Sequence, residues 1–383
     1  MALKETEKMK VGIITIHRLA NYGTALQAYA LEKYLNSIDG VEAETIDYVF
    51  PNKFHKTKHS FVTALRIKLG LWKENYLYGK RKKERKFRAF RSAYLKLSKQ
   101  YASLESIMQE PPQYDVYITG SDQVWNYKTL KNDPVMYCGF VPDGKKRLSF
   151  GASFANDSIL GSNYDHIKDL LNKYSAIGVR EKSAPAILEK IGIDINIPVQ
   201  VTCDPTLLLS SKDYELMAAQ STFKPAHNYI LCYVLDYAFN PQPALTEILH
   251  HAEAYYGCPI IQLGRKPLKY SGKISYHNDL GPCEFTYLFA HAKFVITSSF
   301  HGCMFSLISR VPFVAIGPAL DTSDTRILDV LGKLHLSNNY RRSNNIDTVN
   351  FADLGYGSQF DVAFSDYVSE SKEFIARNLF SAE

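Results

Sequence analysis

Residues 11–17 (VGIITIH) are an unbroken run of mostly β-branched apolar positions, and the polar loop RLANYG follows. Beyond it, Ala28, Leu31, Leu35 and Ile38 recur at helical spacing, and residues 42–48 (EAETIDY) then alternate apolar with polar. Run, helix and alternating strand together predict a βαβ unit over residues 11–48. The same apolar-run-then-turn pattern returns at DVYITG (115–120), RLSFGASF (147–154), AIGVR (176–180) and VQVTC (199–203). The helix expected after Arg180 is punctuated by Ser183 as N-cap, Pro185 in its first turn and Gly192 just past its end.

A polar, mixed stretch at 208–226 separates this half from a second series. That series runs YILCYVLD (229–236), a helix over 241–256, PIIQLG (259–264), KISYH (273–277), a helix over 282–291 opened by Gly281-Pro282, and KFVITS (293–298). A short helix after His301, the strand PFVAIG (312–317) and a helix around 324–333 complete it. Strands alternating with helices call for parallel sheets, so the expected class is α/β, with two doubly wound Rossmann-like domains facing a cleft. The expected domains are residues 10–207 and 226–345, with a C-terminal helix over 360–383 packing back on the first.

A chain of 383 residues that is 46% hydrophobic suffices for two such cores. It has no run of about 18 apolar residues, and its opening MALKETEKMK lacks the apolar stretch of a signal peptide, so a cytoplasmic location is expected. The six cysteines are scattered without a CxxC pair, which suggests reduced, mostly buried thiols and supports neither a zinc site nor a disulfide framework. The net charge of +6 is unevenly placed, because residues 80–99 are densely basic with Glu84 the sole acid. Phe87, Phe90, Tyr94 and Leu97 recur there at helical spacing, as in an amphipathic helix with aromatics inward and cations in solvent. The alternative for this segment is peripheral attraction to anionic lipid at the inner membrane face. No nucleic-acid-binding motif accompanies the charge, so no nucleic-acid partner is expected.

In open parallel sheets, ligands bind beyond the carboxyl ends of strands, where loops enter helices. Four such places stand out. The loop His17–Gly23 pairs a permissive glycine with a helix start; its alternative is a well-capped turn. Residues 120–126 (GSDQVWN) put a carboxylate, two amides and an indole in one turn, a mixture suited to a sugar, whereas an Asx-capped turn with Trp125 in the core is the plain reading. Arg180 can fork onto a phosphate or carboxylate, or pair with a neighbouring acid. Residues 297–307 (TSSFHGCMFSL) predict a strand that breaks at Phe300-His301-Gly302 and restarts as a helix, leaving an imidazole able to exchange protons near neutral pH. Cys303 invites reading as a nucleophile, but the MFSLI after it reads as a buried helix, so packing is expected.

Taken in order, NYGTALQAYAL (21–31), ITGSDQVWN (118–126), VREKSA (179–184), CDPTLLL (203–209), GPCEF (281–285) and SFHGCMFSLI (299–308) with Pro312-Phe313 resemble the polysaccharide pyruvyltransferase family over residues 10–335. The resemblance implies a glycosyltransferase B-like architecture. It also implies transfer of the three-carbon unit of phosphoenolpyruvate to two hydroxyls of a sugar, giving a cyclic pyruvate ketal in bacterial-type surface or exopolysaccharide synthesis. It implies His301 as the catalytic acid/base, Arg180, Ser299, Gly302 and Arg326 on the donor side, and Asn21, Tyr22, Gly23, Gln27, Asp122, Gln123, Trp125 and Asn126 on the acceptor side. No cofactor or metal is expected; phosphoenolpyruvate is a co-substrate and the sugar acceptor is free or lipid-linked. The chain departs from many relatives in carrying Ser298 and Cys303 where an aspartate and a threonine flank the SFHG motif. Two alternatives stay open: a glycosyltransferase using a nucleotide-sugar, and a non-catalytic glycan- or anion-binding relative.

Overall fold

The computed structural model describes residues 8–50, 74–155, 164–235, 238–264, 268–320 and 325–381. They form two compact units, one made of residues 8–50, 91–155, 164–209 and 366–381, the other of 74–90, 210–235, 238–264, 268–320 and 325–365.

The first unit is built on β1 (Met9–Ile14), β2 (Val41–Tyr48), β3 (Leu97–Tyr101), β4 (Val116–Thr119), β5 (Lys146–Ala152), β6 (Ala176–Val179) and β7 (Val199–Val201). They pair in parallel in the order β3-β2-β1-β4-β5-β6-β7. The strands are short, and β4, β5 and β6 are buried along their whole length, as expected where helices cover both faces of a parallel sheet. The core of this unit gathers Ile14, Tyr48, Tyr117, Trp125, Ile177 and Leu188.

The second unit carries β8 (Ile230–Tyr233), β9 (Ile260–Leu263), β10 (Ile274–His277), β11 (Phe294–Thr297), β12 (Phe313–Gly317) and β13 (Tyr340–Arg342). Their order is β10-β9-β8-β11-β12-β13, again all parallel. Its core gathers Ile230, Ile260, Phe294, Ile296 and Val314. In each sheet the strand order reverses once, between β1 and β4 in the first and between β8 and β11 in the second. Crossover helices diverge to opposite faces there, which leaves a crevice at the carboxyl ends of those strands.

Two local outcomes differ from the sequence pattern. The helical spacing that included Leu97 ends earlier: the helix Glu74–Tyr94 stops and Leu97 opens β3. Lys96 fixes the stop, its N–H donating to Glu32 Oε1 at 2.7 Å and its carbonyl accepting from Thr45 N at 2.8 Å. The three-residue β13, which the pattern does not announce, pairs with β12 through Tyr340, Arg341 and Arg342. Within the basic helix Phe87 and Phe90 are buried. Lys82 and Lys86 are tied to Asp279 at 2.6 Å and to Glu284 at 2.5 Å, both in the second unit. Residues 74–90 accordingly group with that unit. The last helix, Ser358–Phe380, joins the first unit from residue 366 onward. There Tyr367 donates to the Thr202 carbonyl at 3.2 Å, and Ser371 Oγ accepts from Cys203 N at 2.9 Å. Among the described residues no helix is long and apolar enough to cross a membrane.

Candidate active site

At the reversal in the second sheet, hydroxyls tie the strand ends together. Thr297 Oγ1 donates to the Tyr233 carbonyl at 2.7 Å and accepts from Ser299 N at 3.1 Å, while Ser298 Oγ accepts from Leu235 N at 2.8 Å. Ser299 has extended backbone and accepts on Oγ from Gly302 N at 3.3 Å, capping the helix Phe300–Ser309. The break therefore falls at Ser298-Ser299, earlier than the sequence suggests, and His301 sits inside the first helical turn. Its position there is set by the cap rather than by Gly302.

His301 is 9% exposed and meets the Phe300 ring edge-on at 5.4 Å. The guanidinium carbon of Arg326, which opens the helix Arg326–Lys333, lies 5.7 Å from the centre of the same Phe300 ring. Ser299, His301 and Arg326 are thus assembled around one helix start, where amide N–H groups and the positive end of the helix dipole favour an anion. Gly302 serves packing rather than ligand approach, since a Cβ there would lie 2.2 Å from Thr297 Oγ1. Cys303 is fully buried, and burial pushes its thiol well above the ordinary range, so it is not available as a nucleophile. Among the described residues no cluster of three or more His, Cys, Asp or Glu could hold a metal ion.

The reversal in the first sheet assembles the other predicted residues, though many of their polar groups are spent on the fold. Asn21 caps the helix Tyr22–Leu35, its Oδ1 accepting from Gly23 N and Thr24 N at 3.0 and 3.4 Å, and Tyr22 and Gly23 are buried. Gln27 is fully buried, and its Nε2 lies within hydrogen-bond reach of Thr15 Oγ1, the Ile16 carbonyl and the Thr24 carbonyl at 3.0–3.1 Å. It clamps the loop from inside, while its Oε1 is buried without a partner among the described residues. Asp122 adopts φ +73° and accepts from Thr24 Oγ1 at 2.6 Å and Gln123 N at 2.9 Å. Gln123 Oε1 accepts from Asn126 Nδ2 at 2.7 Å, and Asn126 Oδ1 caps the next turn through Lys128 N. Asn21, Asp122 and Gln123 are part-exposed, where a sugar hydroxyl could reach them.

Trp125 does not offer a ring to a sugar. It is 2% exposed, stacked on Tyr137 at 5.6 Å, and its indole N–H donates to the Met136 carbonyl at 3.1 Å. Arg180 likewise does not present a fork to a donor. Its side chain is wholly enclosed in the first unit, with Nη1 on Asp204 Oδ2 at 2.8 Å and Nη2 3.9 Å from Asp122 Oδ1. A buried guanidinium needs such acids, so Arg180 knits the ends of β4, β6 and β7 together.

Sequence reasoning left out one cluster at the same edge. His17, Arg18 and Asp47 meet where β1 and β2 end, with His17 Nε2 2.9 Å and Arg18 Nε 2.7 Å from Asp47 Oδ1. The signal was legible, because Ile13 and Thr45 are partners in a parallel register, His17-Arg18 follow β1 by a few residues and Asp47 is the last but one residue of β2.

Three comparisons with known proteins bear on this arrangement. A family model described as polysaccharide pyruvyl transferase matches residues 21–319. No curated protein matches the chain. Among solved structures, the UDP-GlcNAc 2-epimerase of Methanocaldococcus jannaschii is similar with a TM-score of 0.52 at 13% identity, covering 97% of this chain and 99% of that one. The UDP-GlcNAc 2-epimerase of Neisseria meningitidis bound to UDP-GlcNAc is similar with a TM-score of 0.53 at 11% identity, covering 97% and 99%. At such identities the likeness shows the fold alone, which is α/β with two Rossmann-like domains of the glycosyltransferase B kind.

Proposed function

The chain belongs to the polysaccharide pyruvyl transferase family, and from that premise we propose that it forms a cyclic pyruvate ketal on a sugar, with phosphoenolpyruvate as donor and His301 as acid/base. What supports this reading is the placement of His301 in the first turn of a capped helix at the reversal of the second sheet, with Ser299 and Arg326 beside it. A donor bearing a phosphate and a carboxylate suits a helix start and a guanidinium.

The reaction balances without water. One sugar hydroxyl adds to C2 of phosphoenolpyruvate as the methylene carbon takes a proton and becomes a methyl group. The C2–O bond to phosphate then breaks, a second hydroxyl adds to the same carbon, and phosphate leaves with the second hydroxyl proton. His301 supplies the proton to carbon or withdraws it from oxygen, the role an imidazole fills near neutral pH. Arg326 and the helix start hold the negative charge that collects on the departing phosphate. On the acceptor side, Asp122 and Gln123 hold hydroxyls at the edge of the first sheet.

The test is phosphate release with phosphoenolpyruvate and a panel of sugar acceptors, followed by product mass. Release that needs both substrates, with an acceptor heavier by one pyruvate less one water, supports the reading. Turnover of a nucleotide-sugar without phosphoenolpyruvate would instead favour a glycosyltransferase.

A further inference from the structure

The His17–Arg18–Asp47 cluster is not used by the chemistry above. His17 is 3% exposed, with Nε2 2.9 Å from Asp47 Oδ1 and Nδ1 3.1 Å from the Thr15 carbonyl. Arg18 lies side-on to the same carboxylate, Nε at 2.7 Å from Oδ1 and Nη2 at 2.5 Å from Oδ2. Burial alone would push the Asp47 carboxyl up, yet the hydrogen bonds and charges of His17 and Arg18 outweigh it and hold the group well below the usual carboxylate range. One carboxylate serves both side chains, and among the described residues neither is paired with another acid.

A guanidinium held in a sheltered cluster gains from an oxyanion that reaches the side its carboxylate partner leaves uncovered. The point of access is Arg18, whose side chain is 17% exposed while Asp47 is 8% and His17 fully enclosed. Two of its nitrogens are held by Asp47, so the guanidinium is fixed in place and Nη1 is left for a ligand. Such a prepositioned fork loses little entropy when it binds an oxyanion.

We propose that Arg18 docks an oxyanion, phosphoryl or carboxylate, carried by the acceptor sugar. The acceptor would then be a sugar phosphate, a phosphate-linked carrier sugar or an acidic sugar rather than a neutral one. This rests on the pyruvyl-transfer reading only in assigning the first unit to the acceptor.

The experiment measures binding rather than turnover, by titration calorimetry of the full chain with glucose 1-phosphate, glucuronate and glucose. Wild type should bind at least one of the charged probes about tenfold or more tighter than glucose, the factor expected of a charge-assisted hydrogen bond. Arg18→Gln should erase that preference and Arg18→Lys should keep part of it. Because Arg18→Gln leaves Asp47 short of a partner, the double variant Arg18→Gln/Asp47→Asn provides a charge-balanced second test with the same expected loss. The two charged probes separate a phosphoryl from a carboxylate preference. A wild type that does not distinguish the charged probes from glucose, or a preference that survives loss of Arg18, overturns the proposal. Failure of phosphoenolpyruvate-dependent phosphate release would sink the transfer reading while leaving this binding result to stand or fall separately.

Discussion

Replacing Gly302 by alanine puts a methyl group 2.2 Å from Thr297 Oγ1 and 3.0 Å from Thr297 Cβ. Relief requires a separation of roughly 1 Å, since nonbonded heavy atoms settle near 3.5 Å. Thr297 cannot swing aside freely, because its fully buried hydroxyl both donates to the Tyr233 carbonyl and accepts from Ser299 N. Breaking those two bonds costs about 1 kcal/mol each. The alternative is for the helix to back off from β11, an overpacking response that costs about 1–3 kcal/mol. The better helix propensity of alanine returns about 1 kcal/mol. The expected net loss is therefore about 1 kcal/mol, seen as a urea midpoint lower by roughly 0.3–1 M when unfolding is followed by circular dichroism. The same displacement carries His301 with it, and a misplacement of about 1 Å costs on the order of 100-fold in turnover. A Gly302→Ala protein with wild-type midpoint and wild-type turnover would refute this account of the strand–helix junction.

Two further substitutions test the first unit. Glu32 is 4% exposed and burial raises its carboxyl to about 7, against the lowering effect of hydrogen bonds from Lys96 N and Thr45 Oγ1. A raised carboxyl destabilises the fold only where it ionises. The cost is absent below about 4.5, grows as pH rises, and is complete above about 7. The stability of Glu32→Gln relative to wild type should therefore improve by about 3 kcal/mol between pH 4 and pH 8, and a flat difference across that range would contradict the assignment. Asp204→Asn removes the direct partner of the enclosed Arg180 and should cost about 3–5 kcal/mol in thermal or urea unfolding; an unchanged midpoint would mean that Arg180 is not held in this way.

How far the sequence could be read follows from the kind of signal each residue carries. Apolar runs and helical spacing reveal long elements, so the two α/β series and their alternation are legible from Val11 onward. Short strands carry almost no periodicity. β13 has three residues and β3 has five, and both are defined by pairing with a neighbour that local pattern cannot see. Sheet logic correctly marks the strand ends at Asp122, Arg180 and His301 as polar edges, because polar residues after apolar runs must lie there. It cannot say which of them are turned inward. Trp125 and Arg180 are enclosed because their polar atoms find the Met136 carbonyl and Asp204, partners 11 and 24 residues away in sequence. Gly302 shows the same limit: as sequence it reads as room for a ligand, whereas its neighbour in space is Thr297. The His17–Asp47 pair needed only the parallel register of two adjacent strands, and it was missed because Asp47 reads locally as one polar position in an alternating strand.

The central claim concerns His301 and the donor, and its most direct test is phosphate release from phosphoenolpyruvate, dependent on a sugar acceptor, compared between wild type and His301→Ala. Loss of a general acid/base is expected to lower that rate by about two orders of magnitude or more, with the circular dichroism spectrum and urea midpoint close to wild type. Equal rates of phosphoenolpyruvate-dependent release in the two proteins would contradict the account.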